Sequence, residues 1–372
     1  MHDFIAQLPE LDRRRFVEYA AKSCLGVSLL SGLQRAVAAA DATQPGSSQP
    51  GTGPATPKPA APPGPGKAKR LIYLYMGGAM SHIDTFDLKP GHKNQGQTKP
   101  INTSVPGAQI SEFLPSLAAQ FDKLAVVRSL NTLTADHEAA EYWMRTSYQP
   151  IATERHPTMG PWMQQIRGRA SKSLPDSVLI SAPARHPAAG FFDSSFSPLP
   201  IGDPNRGLEN TKAPEYLSES SFDKRLTLID GFDKSFRNKF KQRKLQAYTD
   251  FYSEAVTLLA SSELKAFDLN LEKAEDRDRY GRDSFGQGCL LARRLIQNNV
   301  SCVEVNCGGW DMHANIFNQD TLPGRCGIMD KAVGNLLKDL HDLGLLDETL
   351  IVLTTEFGRS PELNYKIGRA HV

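Results

Sequence analysis

Hydrophobic residues between positions 69 and 372 follow two patterns, short continuous runs and helical repeats, which alternate along the chain. The runs at 71–76, 300–305 and 349–354 are each followed by glycine or polar residues, as is typical of buried strands. Apolar residues at helical spacing predict amphipathic helices over 113–121, 137–146, 288–298 and 327–343. This alternation predicts an α/β protein with a mostly parallel sheet flanked by helices.

Weaker patterns add further predicted elements. The apolar residues 124–127 and 174–180 are short runs that we interpret as two more strands. Residues 156–162 open another helix, with Thr158 near its start. The segment 184–204, rich in Gly, Pro, Phe and Ser, predicts an irregular excursion over one face of the sheet. Residues 216–294 are mostly helical in pattern, and their many charges predict solvated helix faces.

The first 68 residues differ from the rest of the chain. Residues 1–40 contain consecutive arginines, a moderately apolar stretch and a small-residue run, the layout of a twin-arginine signal peptide. The alternative is a short amphipathic helix with a basic start. Residues 41–68 are almost entirely Pro, Gly, Ala, Ser, Thr and Gln, which predicts a disordered linker. We therefore expect an exported, periplasmic or extracellular protein whose folded domain spans 69–372, with no membrane span beyond the signal.

Charge and cysteine content narrow the functional classes. A formal net charge of +2 gives no reason to expect a nucleic-acid partner. Four of the five cysteines lie in the predicted domain and could form two disulfides, although buried thiols are the default interpretation. The sequence lacks a G-x-S-x-G elbow, an H-E-x-x-H motif, a Walker loop and a dinucleotide fingerprint. Serine hydrolases, zincins, nucleotide triphosphatases and dehydrogenases thereby lose their usual sequence support.

Chemistry-bearing residues concentrate where three predicted strands end. His82 and Asp84 follow the first strand, Asp311 and His313 follow a later strand, and Glu356 follows the strand at 349–354. Because ligands bind at the carboxyl ends of parallel strands, we expect these residues to converge. Mixed carboxylates and imidazoles suit divalent ions such as zinc or calcium. The pattern predicts a metal site. The alternative is that these residues belong to ordinary polar loops that follow the strands.

Other polar residues are weighed individually. His137 begins a predicted helix, where an anionic ligand is favoured, while Asp136 before it is better explained as the helix cap. His371 would add a further imidazole near the end of the chain. Thr158 is a candidate hydroxyl nucleophile or an ordinary residue at a helix start. His186 has no possible partner residue at a characteristic spacing, and we interpret it as incidental, without a role in the site.

The motifs together resemble one family, the domain-of-unknown-function 1501 family of the alkaline phosphatase-like superfamily. The resemblance covers 70–371 and rests on MGGAMSHIDTFDLKP, HEAAEYWMRTSY, HPTMGPWM, GQGCLLARRLIQNNVSCVEVNCGGWDMH and TTEFGRSP. It implies an alkaline phosphatase-like fold, with sulfatases and phosphatases as distant relatives. It also implies a metal site formed by the residues already singled out: His82, Asp84, Asp311, His313, Glu356 and His371.

Two departures from the superfamily pattern leave two functional hypotheses. Sulfatases have a Cys or Ser nucleophile at the start of a helix. The position at the same spacing in this sequence is His137. Ala370 stands where the family motif has Asp and the chain ends at Val372, so the domain is expected to be incomplete at its C-terminal end. The first hypothesis is a metal-dependent hydrolase of sulfate or phosphate esters, small molecules or glycans, using His137 or Thr158 in catalysis. The second is a non-catalytic metal- or anion-binding protein on the same scaffold.

Overall fold

A computed structural model describes residues 66–209, 254–259 and 261–364, together with isolated positions between 211 and 231. The predicted signal peptide, most of the linker and His371 lie outside these residues. The strands are β1 (Arg70–Met76), β2 (Pro100–Asn102), β3 (Gln109–Ser111), β4 (Ser177–Ile180), β5 (Leu199–Ile201), β6 (Cys302–Cys307) and β7 (Thr349–Thr355). The α-helices that lie wholly within the described residues are α1 (Pro115–Ala119), α2 (His137–Thr146), α3 (Met159–Arg167), α4 (Ala274–Tyr280), α5 (Ser284–Gln297) and α6 (Leu322–Asp342). Residues 254–259 are also helical.

Five strands form a parallel sheet in the order β5-β4-β6-β1-β7, which confirms the predicted α/β class. The central strand β1 pairs with β6 on one side and β7 on the other, in registers that align Met76 with Cys307 and Thr355. The three strands thus end at the same level. β2 and β3 form a separate antiparallel pair.

Helices cover both faces of this sheet. One face carries Ile72, Leu74 and Val305 and packs against α5 and α6, the source of most of the hydrophobic core. Gly288 of α5 lies so close to β6 that an added β-carbon would meet Val305 Cγ1 at 2.8 Å. The opposite face carries Tyr73, whose hydroxyl donates to the Met144 carbonyl of α2 at 2.9 Å. The buried Glu304 of β6 pairs in register with Tyr73 and therefore lies on this second face.

Most of the strands and helices predicted from the sequence are present in the structure, but one predicted strand is absent and one predicted helix is shorter. The strands at β1, β4, β6 and β7 and the helices at α2, α5 and α6 are confirmed, α2 with its predicted bounds. The predicted strand at 124–127 is wrong, since these residues form no ladder and Val127 is 71% exposed. The predicted helix before it is reduced to α1, preceded by β3. Short apolar runs specify burial poorly, and here the places beside β1 are taken by β6 and β7.

The cysteines of the described chain are free thiols. Cys289, Cys302, Cys307 and Cys326 are buried, which confirms the interpretation as buried thiols over disulfides. Burial raises the pKa of Cys307 to about 11 and raises that of Cys302 further. Thiols held in this protonated state are poor nucleophiles at neutral pH, so we assign them to packing.

Candidate functional site

Three neighbouring strands deliver polar groups to one edge of the sheet. β1 runs into Gly77 and Gly78, β6 is followed by Asp311 and His313, and β7 is followed directly by Glu356. Since β6, β1 and β7 are adjacent and parallel, these segments meet above the central strand. The carboxyl ends of the sheet thus hold the polar residues that the sequence pattern predicted there.

His137 reaches the same place from the start of α2. Asp136 is the N-cap of this helix, because its side chain accepts the Ala139 backbone N–H at 2.9 Å. That confirms the capping interpretation of Asp136. His137 Nδ1 is in direct contact with Glu356 Oε2, and its Nε2 lies 3.6 Å from Asp311 Oδ2. The imidazole is consequently held between two carboxylates from different strands.

Asp311 connects the other members of the site. One of its carboxylate oxygens, Oδ1, lies 2.6 Å from His313 Nε2 and accepts a hydrogen bond of 2.7 Å from Arg359 Nη2. The Arg359 side chain is almost fully buried and also donates to the carbonyls of Gly78 and Ala79. A buried guanidinium that bonds to both the carboxylate and the main chain fixes the orientation of Asp311.

Gly78 allows this close approach of the chain segments. Its N–H donates to Glu356 Oε1 at 2.6 Å, which secures the buried carboxylate. Its φ angle is +112°, and an added β-carbon would stand 2.3 Å from the Asp311 nitrogen. Both the backbone conformation and the space therefore require glycine at this position.

We call His137, Asp311, His313 and Glu356 the strand-end cluster. Of the predicted metal residues, Asp311, His313 and Glu356 are brought together here, with the predicted catalytic residue His137 between them. His82 lies beside the chain segment that follows Glu356, because its ring is 3.5 Å from the place where a β-carbon of Gly358 would stand. Its carbonyl accepts backbone N–H groups of the turn that follows β1.

Asp84 is placed differently from the cluster residues. It is fully buried and accepts hydrogen bonds from the Ser81 hydroxyl at 2.6 Å and the Thr98 hydroxyl at 3.0 Å. These bonds tie the segment after β1 to the loop before β2. His371, the remaining predicted metal residue, lies outside the described residues.

Thr158 stands at the other end of the sheet. It is the N-cap residue of α3, and its hydroxyl donates to the Ala188 carbonyl at 3.2 Å. The neighbouring Gly160 packs closely against Ser177 and Cys302, the first residues of β4 and β6, which an added β-carbon at Gly160 would meet. The cluster follows the last residue of β6, so the structure does not bring Thr158 and the cluster together.

The donor set of the cluster fits a divalent cation by its chemistry. Two carboxylates and two imidazoles are ligands of zinc-like ions. Within the described residues, however, no group of three or more His, Cys, Asp or Glu side chains stands ready in a metal-ligand arrangement. The physical reason lies in the direct His137–Glu356 and His313–Asp311 contacts, which would have to open for an ion to enter.

Sequence reasoning missed a buried ionic network next to the cluster. Arg145 of α2 donates to Glu304 Oε1 at 2.8 Å and Asn306 Oδ1 at 2.6 Å, and its guanidinium lies 3.8 Å from the centre of the Tyr75 ring. His186, interpreted as incidental, lies with Nε2 3.0 Å from Glu304 Oε2. A glutamate inside the apolar strand sequence CVEVNC was the available signal, since buried carboxylates need partners.

This network keeps Glu304 ionised. Burial opposes the charged form, but the His186 hydrogen bond and the Arg145 charge lower the pKa of Glu304 to about 2. Arg359 was also missed as a site residue, although it lies in the motif TTEFGRSP. Asp311 lies 48 positions before Arg359, and no sequence-spacing rule connects the two residues. The role of Arg359 can therefore be seen only in the folded structure.

The fold and the cluster together define an α/β protein with a polar site at the carboxyl ends of its central parallel strands. Comparison with protein-family models gives a match to the "Protein of unknown function (DUF1501)" family over residues 68–372. The chain belongs to this family. Searches of curated proteins and of solved structures gave no match.

Among the described residues, no helix combines the length and the apolar character needed to cross a bilayer.

Proposed function

We propose that the strand-end cluster is the active site of a hydrolase acting on phosphate or sulfate esters of small molecules or glycans. The observation that carries the proposal is the convergence of His137, Asp311, His313 and Glu356 from three adjacent chain segments. Titratable groups gathered at the ligand-binding end of a parallel sheet favour catalysis over a structural role. The resemblance to the alkaline phosphatase-like superfamily supports the substrate class.

Positive groups at the site favour an anionic ester. The side chain of Arg359 places a guanidinium beside Asp311, and His137 occupies the first position of α2, where helix N–H groups carry partial positive charge. We expect the ester anion to lie towards these groups. Arg359 would act on the ester through Asp311, whose orientation it fixes.

His313 is the residue best placed to transfer a proton. Its Nε2 lies against Asp311, which orients the ring, while 57% of its side chain is exposed to solvent. An aspartate-oriented imidazole can take a proton from an attacking water or give one to the leaving oxygen. His137 lies between two carboxylates, with Nδ1 in direct contact with Glu356 and Nε2 3.6 Å from Asp311.

A divalent cation is the expected cofactor, held by Asp311, His313, Glu356 and His137. When bound, it would supply Lewis-acid polarisation of the ester and a lower pKa for an attacking water. The role of the protein in that case is to hold the two carboxylates by Arg359 and the Gly78 N–H. Such outer contacts orient metal ligands and are needed for their affinity.

The test is turnover of an aryl phosphate and an aryl sulfate by the purified protein with zinc or calcium added. We expect Asp311→Asn to lower the rate by about a hundredfold or more, because it removes the charge that orients His313. Asp347→Asn is the matched control, since this exposed aspartate lies before β7, at the opposite end of the strand. Equal activity in wild type and Asp311→Asn would contradict the proposal.

A second candidate is a protein that binds anions at this site without turnover. It is favoured because two hydroxyl groups near the ends of β1 and β7, which could have served as nucleophiles, donate hydrogen bonds to other groups. Thr355 Oγ1 donates to the Met76 carbonyl at 2.6 Å, and Ser81 Oγ donates to Asp84 at 2.6 Å. Thr158 belongs to the other end of the sheet. Phosphate or sulfate binding that is weakened by Asp311→Asn, without hydrolysis of either ester, would support this candidate.

We also propose export through the twin-arginine route. The support is the sequence of residues 1–40, with its consecutive arginines, apolar stretch and small-residue run. The test is the location of the protein in cells after replacing Arg13, Arg14 and Arg15 by lysine. Unchanged export of this variant would contradict the proposal.

A further inference from the structure

Two tyrosines of β1, Tyr73 and Tyr75, lie on the same face of the sheet but differ in how their hydroxyl groups are bonded. Both side chains are buried, and their ring centres are 6.3 Å apart. The Tyr73 hydroxyl donates to the Met144 carbonyl at 2.9 Å. The Tyr75 hydroxyl is shielded from solvent and has no hydrogen-bond partner among the described residues. An unpaired buried hydroxyl destabilises a fold, so its retention indicates a role outside folding.

The ring of Tyr75 lies next to α2 and near the carboxyl end of β1. The Arg145 guanidinium stands 3.8 Å from the ring centre and is itself held by Glu304 at 2.8 Å. A β-carbon at Gly77 would lie 3.7 Å from Tyr75 Cε1 and 3.9 Å from Glu356 Oε1. Since Cε1 is bonded to the carbon that carries the hydroxyl, this edge of the ring and the Glu356 carboxylate border the same small space over Gly77.

Glu356 is also the neighbouring charge with the largest electrostatic effect on Tyr75. Burial raises the pKa of Tyr75, and the negative charge of Glu356 raises it further. The phenol therefore stays protonated at neutral pH and is available as a hydrogen-bond donor. A carboxylate is the acceptor that gives such a donor its stronger hydrogen bonds.

Both oxygens of Glu356 have other partners in this structure. Oε2 is in direct contact with His137 Nδ1, and Oε1 accepts the Gly78 N–H at 2.6 Å. A cation that takes His137 and Glu356 as ligands has to separate them, because it needs the same lone pairs. The carboxylate would then lose one of the two contacts that orient it. Orientation of a metal ligand by an outer donor is needed for its affinity.

From these observations we propose that Tyr75 is a positioning residue for Glu356. When a divalent cation enters the strand-end cluster, the Tyr75 hydroxyl donates to the Glu356 carboxylate and replaces His137 as the group that orients it. This inference rests on the proposed function, because it assigns an outer contact to the cation site proposed there. It gives the Tyr75 hydroxyl a partner that the direct His137–Glu356 contact denies it.

The test is zinc binding by the full 372-residue chain, measured by isothermal titration calorimetry, together with urea unfolding in the presence of a chelator. Tyr75→Phe should weaken zinc binding by about tenfold or more, the usual loss when an outer contact of a metal ligand is removed. Without zinc, this variant should resist urea at least as well as the wild type, because it removes a buried hydroxyl that has no partner.

Tyr73→Phe is the matched control, because Tyr73 is the same residue type on the same face of β1, but its hydroxyl is bonded to α2. Loss of that hydrogen bond should raise the unfolding equilibrium constant about fivefold. The zinc affinity of this variant should equal that of the wild type. The two tyrosines are thus expected to give opposite results, one in binding and the other in stability.

Glu356→Gln tests whether Tyr75 acts through Glu356. In that background, Tyr75→Phe should lower the zinc affinity by no more than about twofold, since both substitutions then remove parts of one interaction. Fully additive losses would overturn the inference, as would equal zinc affinity in the wild type and Tyr75→Phe. Destabilisation by Tyr75→Phe as large as that by Tyr73→Phe would also overturn it. A wild type that binds no zinc would overturn the proposed cofactor as well.

Discussion

Glu304 shows at the residue scale how a buried charge is retained in this sheet. The carboxylate lies in the middle of β6, where an unpaired charge would be very costly. Arg145 and His186 contact its two oxygens from α2 and from the loop after β4. Since α2 also carries His137, the pair anchors the helix that completes the strand-end cluster.

Replacing Glu304 by glutamine should change both stability and its dependence on pH. The folded-state pKa of about 2 lies below the ordinary glutamate value of 4.5, so this carboxylate stabilises the fold fully above pH 4.5. Its contribution is lost as the pH falls from 4.5 towards 2. At pH 7 we expect Glu304→Gln to cost roughly 3 kcal/mol, measured by urea unfolding.

The comparison of two pH values makes this prediction specific. The difference between wild type and Glu304→Gln should shrink when unfolding is repeated near the acid end of that window. Glu348→Gln is the control, because Glu348 pairs with Lys69 at the surface, where such pairs contribute little. A difference between wild type and Glu304→Gln that stays constant with pH would argue against an ionised, network-bound Glu304.

At the scale of elements, α2 depends on its N-cap to position the catalytic candidate His137. Asp136→Ala removes the acceptor for the Ala139 N–H and should cost about 1 kcal/mol of unfolding free energy. Asp136→Asn keeps an acceptor oxygen and should recover most of that loss. Urea unfolding of the three proteins is the measurement. Equal destabilisation by both substitutions would show that capping is not what Asp136 contributes.

The sequence predicted those elements whose pattern matched their burial. β1 is a continuous apolar run because both of its faces are covered. β6 is interrupted only by Glu304 and Asn306, and β7 is uncharged although most of its residues are only partly buried. Glycine or a polar group marks the end of each strand. The run at 124–127 has the same composition but no partner strand, and hydrophobicity alone cannot distinguish the two cases. β2 and β5, of three residues each, are too short to produce a pattern.

The site was predictable to the extent that it depends on strand ends. Asp311, His313 and Glu356 were found because parallel strands deliver their following residues to one edge. Thr158 shared the chemistry but not the position, since it is the N-cap residue of α3. Asp84 accepts hydrogen bonds from the Ser81 and Thr98 hydroxyls, which no local pattern indicated. Contacts between residues far apart in sequence are set by packing, which no local pattern records.

At the scale of the whole molecule, cation binding at the strand-end cluster should stabilise the folded chain. The folded protein holds the two carboxylates and two imidazoles of the cluster side by side, an arrangement that the unfolded chain does not have. A ligand that binds only the folded state at a hundred times its dissociation constant adds about 2.7 kcal/mol. We therefore expect zinc or calcium to raise the melting temperature, and a chelator to reverse the rise.

Asp311→Asn separates this effect from nonspecific cation binding, because it removes one carboxylate from the cluster and leaves the other surface carboxylates in place. The melting temperature of this variant should respond little to the cation, whereas Asp347→Asn should respond like the wild type. A shift of the same size in all three proteins would place the cation elsewhere. The measurement does not require turnover, so it also tests cation binding by a protein that binds anions without hydrolysing them.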